Sequence, residues 1–355
     1  MSRHDIFYWK CDCALSAESK QQSYFADKYD EATVDAARQA AIDFAGTSVA
    51  DFKHLGVDGN HFAYRFSYDG KIYFLRTDDG RGDDDYLLAE SAVLRWLGDR
   101  GLPVPRAYKT DVSMAKHPFR YQVLDFVCHP PLIDHYRKDE LQRGKIAEQS
   151  GRFLAQLHEF QAPRFGFIDT DKLSASHRIQ GLDASWEIYF HKCLDKHLAY
   201  LRDRDILTAK TVAQIEACFE RNQHLLRISR GSLLHRDFAL WNILGTPDSI
   251  IAVIDWDDTV VGDPADDIAI VSCFNDTSYM AQLLAAYGET QPVDESFRHR
   301  VSLYTLRNML WKIMIRHYMG YFEKADSFFL NKNDRGVSLW EYSFHKLHTA
   351  LKELT

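Results

Sequence analysis

The sequence predicts an α+β protein built as two lobes, and three observations lead to that prediction. Residues 49–127 are mostly strand-like, whereas helical periodicity dominates after about residue 130. The 355 residues are many for one compact core and sufficient for two lobes. A β-rich segment followed by a helical segment favours two packed units with a cleft between them. We therefore divide the chain into an N-terminal extension (1–45), a first lobe (46–127) and a second lobe (128–355).

Composition and charge argue against several classes of protein. Hydrophobic residues make up 46% of the chain and charged residues 26%, which is typical of a globular protein. The formal net charge of -8 argues against a nucleic-acid partner. No apolar run reaches the roughly 18 residues of a membrane span, and the N-terminus has no apolar signal core. We expect a cytoplasmic protein, monomeric or homodimeric, without nucleic-acid or membrane partners.

The six cysteines are scattered, apart from the pair Cys11 and Cys13. His4 lies near that pair, but the sequence shows no set of four ligands at zinc spacing. We interpret the cysteines as the reduced thiols of a cytosolic protein.

The first lobe is predicted to be a small sheet with one inserted helix. Strand-like runs at 61–68 and 71–77 flank Asp69-Gly70, which is a strong hairpin signal, and a further strand is expected at 119–127. Helical periodicity and glycine stops predict helices over 30–46, 85–101, 144–160, 185–203 and 296–322.

One segment of the second lobe holds side chains that handle protons and metal ions. Asp237 is followed five residues later by Asn242, and Asp255 ends the apolar run IIAVI. Turn residues 245–249 predict a hairpin that places Asn242 opposite Asp255, with Asp237 at the same end. Carboxylate and amide oxygens suit Mg²⁺ better than zinc. Phosphoryl transfer requires this set, with one carboxylate to accept a hydroxyl proton and two oxygen ligands for Mg²⁺.

The same segment resembles the catalytic loop and metal aspartate of protein kinases and their small-molecule relatives. Its continuation, IDWDDTVVGDPADDIA from residue 254, is similar to the aminoglycoside phosphotransferase family, and the DFG and APE motifs of protein kinases are missing. FGFI (165–168) and SWEIYF (185–190) extend the likeness toward the hygromycin B phosphotransferase subgroup. The likeness spans most of residues 46–325 and implies a protein-kinase-like fold, with the nucleotide in a cleft between a β-rich N-lobe and a helical C-lobe.

The resemblance implies that Mg²⁺ is the cofactor and ATP the phosphoryl donor. Asp237 would be the catalytic base, and Asn242 and Asp255 would hold the metal ion. The basic residue that contacts the α- and β-phosphates would be Arg76, with Lys71 as the alternative at the start of the same strand.

The acidic partner expected for Arg76 is Glu90. Glu90 shares a helical face with Leu87, Leu94 and Leu97, and a carboxylate on an apolar stripe requires a partner that offsets its desolvation. The alternative is that Glu90 lies at the edge of the stripe, in water.

Backbone groups complete the nucleotide site that the resemblance implies. Gly56 and Gly59, in the hairpin segment 55–66, would leave amides facing phosphate. Asp125 and Val127 would offer backbone groups to adenine.

Arg236 stands where the family mostly has glycine. Only about a dozen residues separate Asp255 from Asp267, which is too short for the phosphorylated activation loop that such an arginine binds in protein kinases. We predict that Arg236 pairs internally, with Asp267 or Asp263. We expect His235 to be a structural hydrogen-bonding residue beneath the loop.

The acceptor site is predicted from charge and by analogy. The span 251–276 contains seven aspartates and no lysine or arginine, and an acidic rim would attract a polycationic aminoglycoside. A solvated acidic loop is the alternative. Trp186 and Trp241 could stack on a sugar ring or belong to the core. The candidate acceptor residues are Asp257, Asp258, Asp183, Glu187 and Asp276.

Together these features predict an ATP- and Mg²⁺-dependent O-phosphotransferase that acts on a small-molecule hydroxyl. An aminoglycoside or a related sugar-like compound is the first expectation, with antibiotic resistance as its consequence. An amino alcohol, a macrolide, another sugar or another metabolite are alternatives, and so are a protein kinase and a nucleotide-binding pseudoenzyme. The missing activation loop argues against the protein kinase. The intact Asp237, Asn242 and Asp255 argue against the pseudoenzyme.

Overall fold

The structure is a computed structural model that describes residues 3–14, 31–55, 62–78, 86–323 and 337–355. The helices in these ranges are α1 (Trp9–Ala14), α2 (Glu31–Ala45), α3 (Tyr86–Gly98), α4 (Leu132–Arg137), α5 (Arg143–His158), α6 (Thr170–Ser176), α7 (Trp186–His191), α8 (Leu194–Asp203), α9 (Ala209–Asn222), α10 (Pro264–Ser272), α11 (Thr277–Tyr287), α12 (Glu295–Tyr318) and α13 (Leu339–Glu353). The strands are β1 (Ala50–His54), β2 (Phe62–Tyr68), β3 (Lys71–Thr77), β4 (Ala107–Asp111), β5 (Tyr121–Asp125), β6 (Gln161–Ala162), β7 (Phe165–Ile168), β8 (Gly181–Asp183), β9 (Gly231–Leu234), β10 (Ile243–Thr246), β11 (Ser249–Val253) and β12 (Val260–Gly262). No described helix combines the length and the apolar character that crossing a membrane requires.

The first lobe is built on an antiparallel sheet in the order β1-β2-β3-β5-β4. Asp69 and Gly70 form the predicted tight turn, with φ of 49° and 70°, so that Tyr68 pairs with Lys71. Positive φ at both central residues is the backbone that an Asp-Gly hairpin supplies. Strand β3 is therefore central in the sheet, and Arg76 lies near its C-terminal end.

The two helices of the first lobe join different cores. Helix α2 packs Ala37, Ala40 and Ala41 against the sheet. It ends before Gly46, which has a φ of 68°, and a glycine stop was predicted there. Helix α3 instead belongs to the large core that continues into the second lobe. Because α3 is shared in this way, it fixes Glu90 at the junction between the lobes.

The second lobe is mainly helical but contains a sheet that the sequence analysis did not predict. Five short strands assemble in the order β6-β9-β12-β7-β8, and β10 and β11 form a separate hairpin. Helix α12 is buried on most sides and packs against α1, α8, α10 and α13. The strands β9 and β12 bracket the catalytic segment, since β9 ends at Leu234 and β12 begins at Val260.

The helix predicted over 185–203 is broken in the structure. Ser185 caps α7, and Cys193 has a φ of 55° between α7 and α8. The buried Arg307 donates to the carbonyls of Phe190 (3.0 Å) and Lys192 (2.8 Å). These bonds satisfy carbonyls that a continuous helix would use for itself, so the tertiary contact overrides the local periodicity.

Residues 3–14 pack against the second lobe. Ile6, Phe7 and Tyr8 are almost completely buried. The carboxylate of Asp12 accepts the backbone N–H groups of Phe7 (2.7 Å) and Tyr8 (2.9 Å). The N-terminal extension therefore packs on both lobes: residues 3–14 on the second lobe, and helix α2 on the sheet of the first lobe.

Cys11, Asp12 and His197 bring three possible metal-ligand atoms within 4.8 Å of one another. Arg307 donates to Nδ1 of His197 (3.0 Å), so the other ring nitrogen carries the proton and donates to Asp12 (2.6 Å). A metal ion would need that nitrogen unprotonated. The cluster is therefore an internal polar anchor for the segment; the side chain of Cys13 lies outside the described part of the chain.

Candidate active site

The catalytic segment begins in a loop that one buried carboxylate holds in place. The backbone N–H groups of His235 and Arg236 donate to Asp267 at 2.7 and 2.8 Å, and His158 contacts the same carboxylate at 3.3 Å. Burial opposes the charge, but the bond from His158 and the backbone N–H bond outweigh it and lower the pKa of Asp267. An ionised Asp267 on α10 thus fixes the residue before Asp237.

Arg236 pairs internally, as predicted, but the partner is different. Its guanidinium forms an ion pair with Asp266 and contacts Tyr189 (3.3 Å). The predicted pairing with Asp263 is wrong, since Asp263 caps α10 and binds Arg300 (2.8 Å) instead. Asp267, the other predicted partner, accepts a hydrogen bond from the backbone N–H of Arg236 and not from its side chain. Arg236 has a φ of 71°, a region that glycine adopts without strain, so its ion pair holds a conformation that its side chain disfavours.

His235 is completely buried and connects the loop to the next strand. Its Nδ1 accepts the N–H of Asp237 (3.2 Å), so Nε2 carries the proton and donates to the carbonyl of Ile254 (3.0 Å). Burial lowers the pKa of His235. The neutral ring is therefore a structural hydrogen-bonding group beneath the loop, as the sequence analysis expected.

The predicted hairpin brings Asn242 beside Asp255. Ile243 pairs with Val253, and the N–H of Ile254 donates to the carbonyl of Asn242 (2.9 Å). The amide nitrogen of Asn242 donates to the backbone and side-chain oxygens of Asp237, both at 2.9 Å. Because that nitrogen faces Asp237, the amide oxygen is the atom of Asn242 that can ligate a cation.

Asp255 presents a partly exposed carboxylate on a strained backbone. Its φ is 67°, and 38% of its side chain is accessible. Partial burial and the nearby Asp257 carboxylate raise the pKa of Asp255 well above its usual range. A divalent cation would reverse this cost, and the oxygens of Asp255 and Asn242 are the hard ligands that Mg²⁺ prefers. The residues present thus fit a magnesium ion.

Arg76 lies at the centre of a cluster of carboxylates. It binds Glu90 at 2.7 Å, Asp257 at 2.8 Å and Asp255 at 3.4 Å, and only 5% of its side chain is accessible. The predicted pair with Glu90 is present, and the alternative of a solvated Glu90 is wrong because the residue is 1% exposed. Glu90 also accepts the N–H of Trp256 (3.0 Å). Helix α3 is thereby tied to the residue after Asp255.

Lys71 lies at the other end of β3 from Arg76. It is exposed and pairs with Asp125 at 2.8 Å. The N–H of Asp125 donates to the carbonyl of Arg106 (3.0 Å), and the predicted contact of its backbone with adenine stays a prediction. Val127 is half-buried in the segment that leaves β5.

Gly56 and Gly59 lie outside the described residues. Their predicted contact with phosphate therefore stays a prediction.

Three of the five predicted acceptor carboxylates are neutralised by neighbouring cations. Asp257 binds Arg76, Asp183 binds Lys192 (2.7 Å), and Asp276 caps α11 and binds Arg143 (2.7 Å). Within the acidic span 251–276, Asp257 and Asp276 thus have cation partners, which the charge density of the sequence does not show. The assignment of these carboxylates to the acceptor stays a prediction. Glu187 lies half-buried in the first turn of α7, and Asp258 is close enough to raise the pKa of Tyr8.

The two candidate tryptophans lie in different environments. Trp186 is a core residue, 1% exposed, that donates to the hydroxyl of Tyr304 (3.0 Å). Trp241 is half-buried, and its indole N–H donates to Oδ2 of Asp237 (3.3 Å). Trp241 therefore helps to orient the predicted base.

Other residues near Asp237 were missed in the sequence. Tyr8 stacks on Trp311, with ring centroids 3.9 Å apart. Burial raises the pKa of Tyr8, and so do nearby carboxylates, with Asp237 foremost. Lys312 is a buried cation in the apolar run NMLWKIMI, and that contrast is the one signal that could have singled it out.

A β-rich lobe, a helical lobe and a carboxylate cluster at their junction define a kinase-type phosphotransferase. The model of the phosphotransferase enzyme family, APH, matches residues 55–299. The chain therefore belongs to that family and is a small-molecule kinase. No curated protein is significantly similar to it in sequence.

Solved structures show the same fold. A thermostable mutant of aminoglycoside phosphotransferase APH(4)-Ia, in a ternary complex with ADP and hygromycin B, superposes with a TM-score of 0.61 at 18% identity, covering 89% of this chain and 98% of that one. A putative fructosamine-3-kinase from Haemophilus somnus gives a TM-score of 0.56 at 16% identity, over 89% and 96% of the two chains. Spectinomycin phosphotransferase APH(9)-Ia, with ADP and spectinomycin, gives 0.51 at 18% identity, over 89% and 97%.

Proposed function

We propose that the protein transfers the γ-phosphoryl group of ATP, with Mg²⁺, to a hydroxyl of a small molecule. The observation that carries this proposal is the fixed geometry of Asp237. Asn242 and Trp241 both donate to its Oδ2, at 2.9 and 3.3 Å. A carboxylate held in this way is ready to receive a hydroxyl without further reorganisation.

Asp237 is the proposed base. With Oδ2 occupied by two donors, Oδ1 is the oxygen that we assign to the acceptor hydroxyl. Oδ1 orients that hydroxyl and accepts its proton as the oxygen attacks phosphorus. Asp267 and His235 hold the loop and leave the proton transfer to Asp237.

Asn242 and Asp255 are the proposed magnesium ligands. Mg²⁺ at these oxygens would neutralise charge on the phosphates. Two observations support their fit to Mg²⁺. The amide nitrogen of Asn242 faces Asp237, which leaves its oxygen for the metal ion, and the raised pKa of Asp255 reflects a charge that a cation would stabilise.

Arg76 is the residue that we assign to the α- and β-phosphates. Its Nη1 is held by Glu90, whereas Nη2 contacts Asp257 and Asp255. Nη1 thus fixes the guanidinium to α3, and Nη2 is directed at the metal-binding side of the cleft. Arginine suits this task because its planar fork matches phosphate oxygens.

The acceptor class is supported only by the fold neighbours. Two of them hold hygromycin B and spectinomycin, which supports sugar-like acceptors in general. The acidic rim that would favour a polycationic aminoglycoside is largely neutralised. We therefore keep the proposal at a small hydroxyl compound, with aminoglycosides as one member of the class.

The test is ADP release from Mg²⁺·ATP across a panel of aminoglycosides, macrolides, sugars, amino alcohols and hydroxy acids. We expect one class to stimulate release, and we expect Asp237→Asn to lower kcat by about 10²–10⁴-fold because the base is lost. The ATP affinity of this variant should stay within a few-fold of the parent. Stimulated release that is equally fast in Asp237→Asn would refute the assignment of the base.

A further inference from the structure

Lys312 lies on α12 and is linked to Asp237 through the rings of Phe274 and Trp241. Its ammonium group is 4.2 Å from the ring centroid of Phe274 and 4.2 Å from that of Trp311. Phe274 packs against Trp241 (4.7 Å), which donates to Asp237, and Trp311 packs against Tyr8. We call Lys312 and these four rings the Lys312 pocket.

The lysine is buried without a countercharge. Lys312 is 3% exposed, and no carboxylate among the described residues forms an ion pair with it. Burial lowers the pKa of Lys312 to about 8, although Cys273 and Asp237 act in the opposite direction. Burying an ammonium ion is unfavourable because the ion loses its hydration, and contact with aromatic faces offsets only part of that cost. An anion beside Lys312 would offset much of the remainder.

The pocket is open on the side of the predicted base. Phe274 and Trp241 are half-buried, and so is Asp237, whereas Trp311 and Tyr8 form a buried inner wall. A molecule that presents a hydroxyl to Asp237 therefore has its neighbouring atoms against these rings. A negative group on that molecule would lie next to Lys312.

We propose that the acceptor is a hydroxy acid, whose carboxylate binds Lys312 while its hydroxyl faces Asp237. This inference rests on the proposed function. A polycation is disfavoured twice, because Lys312 repels it and because three of the expected carboxylates are already paired. The aromatic walls pack against the carbon skeleton of the acceptor.

The experiment uses the full chain with Mg²⁺·ATP and compares acceptors that differ only in charge. Glycerol is paired with glycerate and glucose with glucuronate, and hygromycin B and kanamycin represent polycations. ADP release and the shift in Tm with Mg²⁺·ADP are measured for each. We expect at least one carboxylate to exceed its neutral partner by about tenfold or more in kcat/KM, as a charge-assisted contact would give.

Lys312→Met tests the residue itself. We expect the KM for the carboxylate acceptor to rise by about tenfold or more, with the KM for ATP unchanged, because Met keeps the length and removes the charge. A purely structural role would lower kcat for every acceptor equally. Lys312→Gln is the second variant if the first fails to fold, and Lys145→Met, which removes a 60% accessible lysine, is the matched control.

Three outcomes would overturn the inference. The first is that aminoglycosides or neutral sugars outperform every carboxylate. The second is that the Lys312 variants keep the carboxylate preference of the parent. The third is that the carboxylates leave both turnover and Tm unchanged. Transfer to a polycation that Asp237→Asn abolishes would sink the hydroxy-acid inference and leave the proposed function intact. Failure of Mg²⁺·ATP to bind, or transfer that persists in Asp237→Asn, would remove the proposed function and this inference together.

Discussion

Two buried cations, Arg76 and Lys312, have opposite surroundings. Arg76 has three carboxylates within 3.4 Å, from Glu90, Asp255 and Asp257. Lys312 has two aromatic faces at 4.2 Å and no carboxylate partner within the described ranges of the chain. Both are at most 4% exposed.

The difference teaches how charge is arranged in this cleft. A paired cation is held in place, because removing either partner leaves the other charged and buried. An unpaired cation instead carries a desolvation cost that a ligand can offset. The first arrangement suits a group that must be fixed before the nucleotide binds, and the second suits a group that recognises the acceptor.

The largest expected effect comes from breaking the paired cation. Arg76→Met should lower the free energy of unfolding by about 3–5 kcal/mol, since it leaves Glu90 buried without its partner. Glu90→Gln should cost less, because Arg76 keeps Asp255 and Asp257 as partners. Both should also raise the KM for ATP. Urea unfolding and ATP kinetics measure these effects, and the double variant should lose less than the sum of the single variants. Additive losses would show that the two residues are not coupled.

Arg236 sharpens the comparison because it is paired but lies away from the cleft. Arg236→Met should destabilise the fold by about 3 kcal/mol or more, since Asp266 is left unpaired. The KM for ATP should be unchanged, in contrast to Arg76→Met. We expect Arg236→Gly to relieve the positive φ and lose somewhat less stability. Activity lost with stability intact in Arg236→Gly would contradict a structural role.

Lys312 should show its lack of a partner in the pH dependence of stability. Its pKa in the folded protein, about 8, lies below the ordinary value of 10.5. The unfolded chain therefore binds more protons between these two pH values, and stability rises with pH there, by at most about 1.4 kcal/mol per unit. Lys312→Met should lack that rise and should be as stable as the parent at pH 7 or more so.

The measurement is urea unfolding of parent and variant from pH 7 to 9.5. Taking the difference between the two cancels groups they share, including Cys273, Asp237, Arg236 and Arg316 around Lys312. A variant that is strongly destabilised at pH 7 would show that Lys312 is a paired structural residue like Arg76.

The smallest effect is expected at the link between Asp237 and the Lys312 pocket. Trp241→Phe keeps an aromatic ring against Phe274 but removes the N–H that donates to Asp237. Losing one hydrogen bond of about 1 kcal/mol should lower kcat by roughly five-fold. The KM for ATP is the internal control and should not change. An unchanged kcat would mean that Asn242 alone orients the carboxylate.

Local patterns predicted the parts of the site that short stretches of chain determine. The turn residues at 245–249 predicted the hairpin that brings Asn242 near Asp255. A shift in register between Leu244 and Gly245 pairs Ile243 with Val253, so Asn242 does not lie directly opposite Asp255 as predicted. Glu90 was found because a carboxylate on an apolar helical stripe requires a partner. In both cases the deciding residues lie close together along the chain.

The errors arose where distant residues decide the outcome. Arg76 and Asp257 are 181 positions apart, and Arg143 and Asp276 are 133 apart, so no window of sequence shows these pairs. The choice of Asp266 over Asp263 depends on how α10 faces the loop, which its sequence alone does not fix. Tyr8 was missed for the same reason, because α12, which it packs against, lies some 300 positions away.

The burial of Ile6, Phe7, Tyr8 and Cys11 affects how the polypeptide folds during synthesis. Cys11 contacts Met314 across 303 positions and His197 across 186. Ile6, Phe7 and Tyr8 thus leave the ribosome long before the helix that covers them exists. The C-lobe cannot close its interior until α12 has been synthesised, and until then these apolar residues are exposed to chaperones and to aggregation.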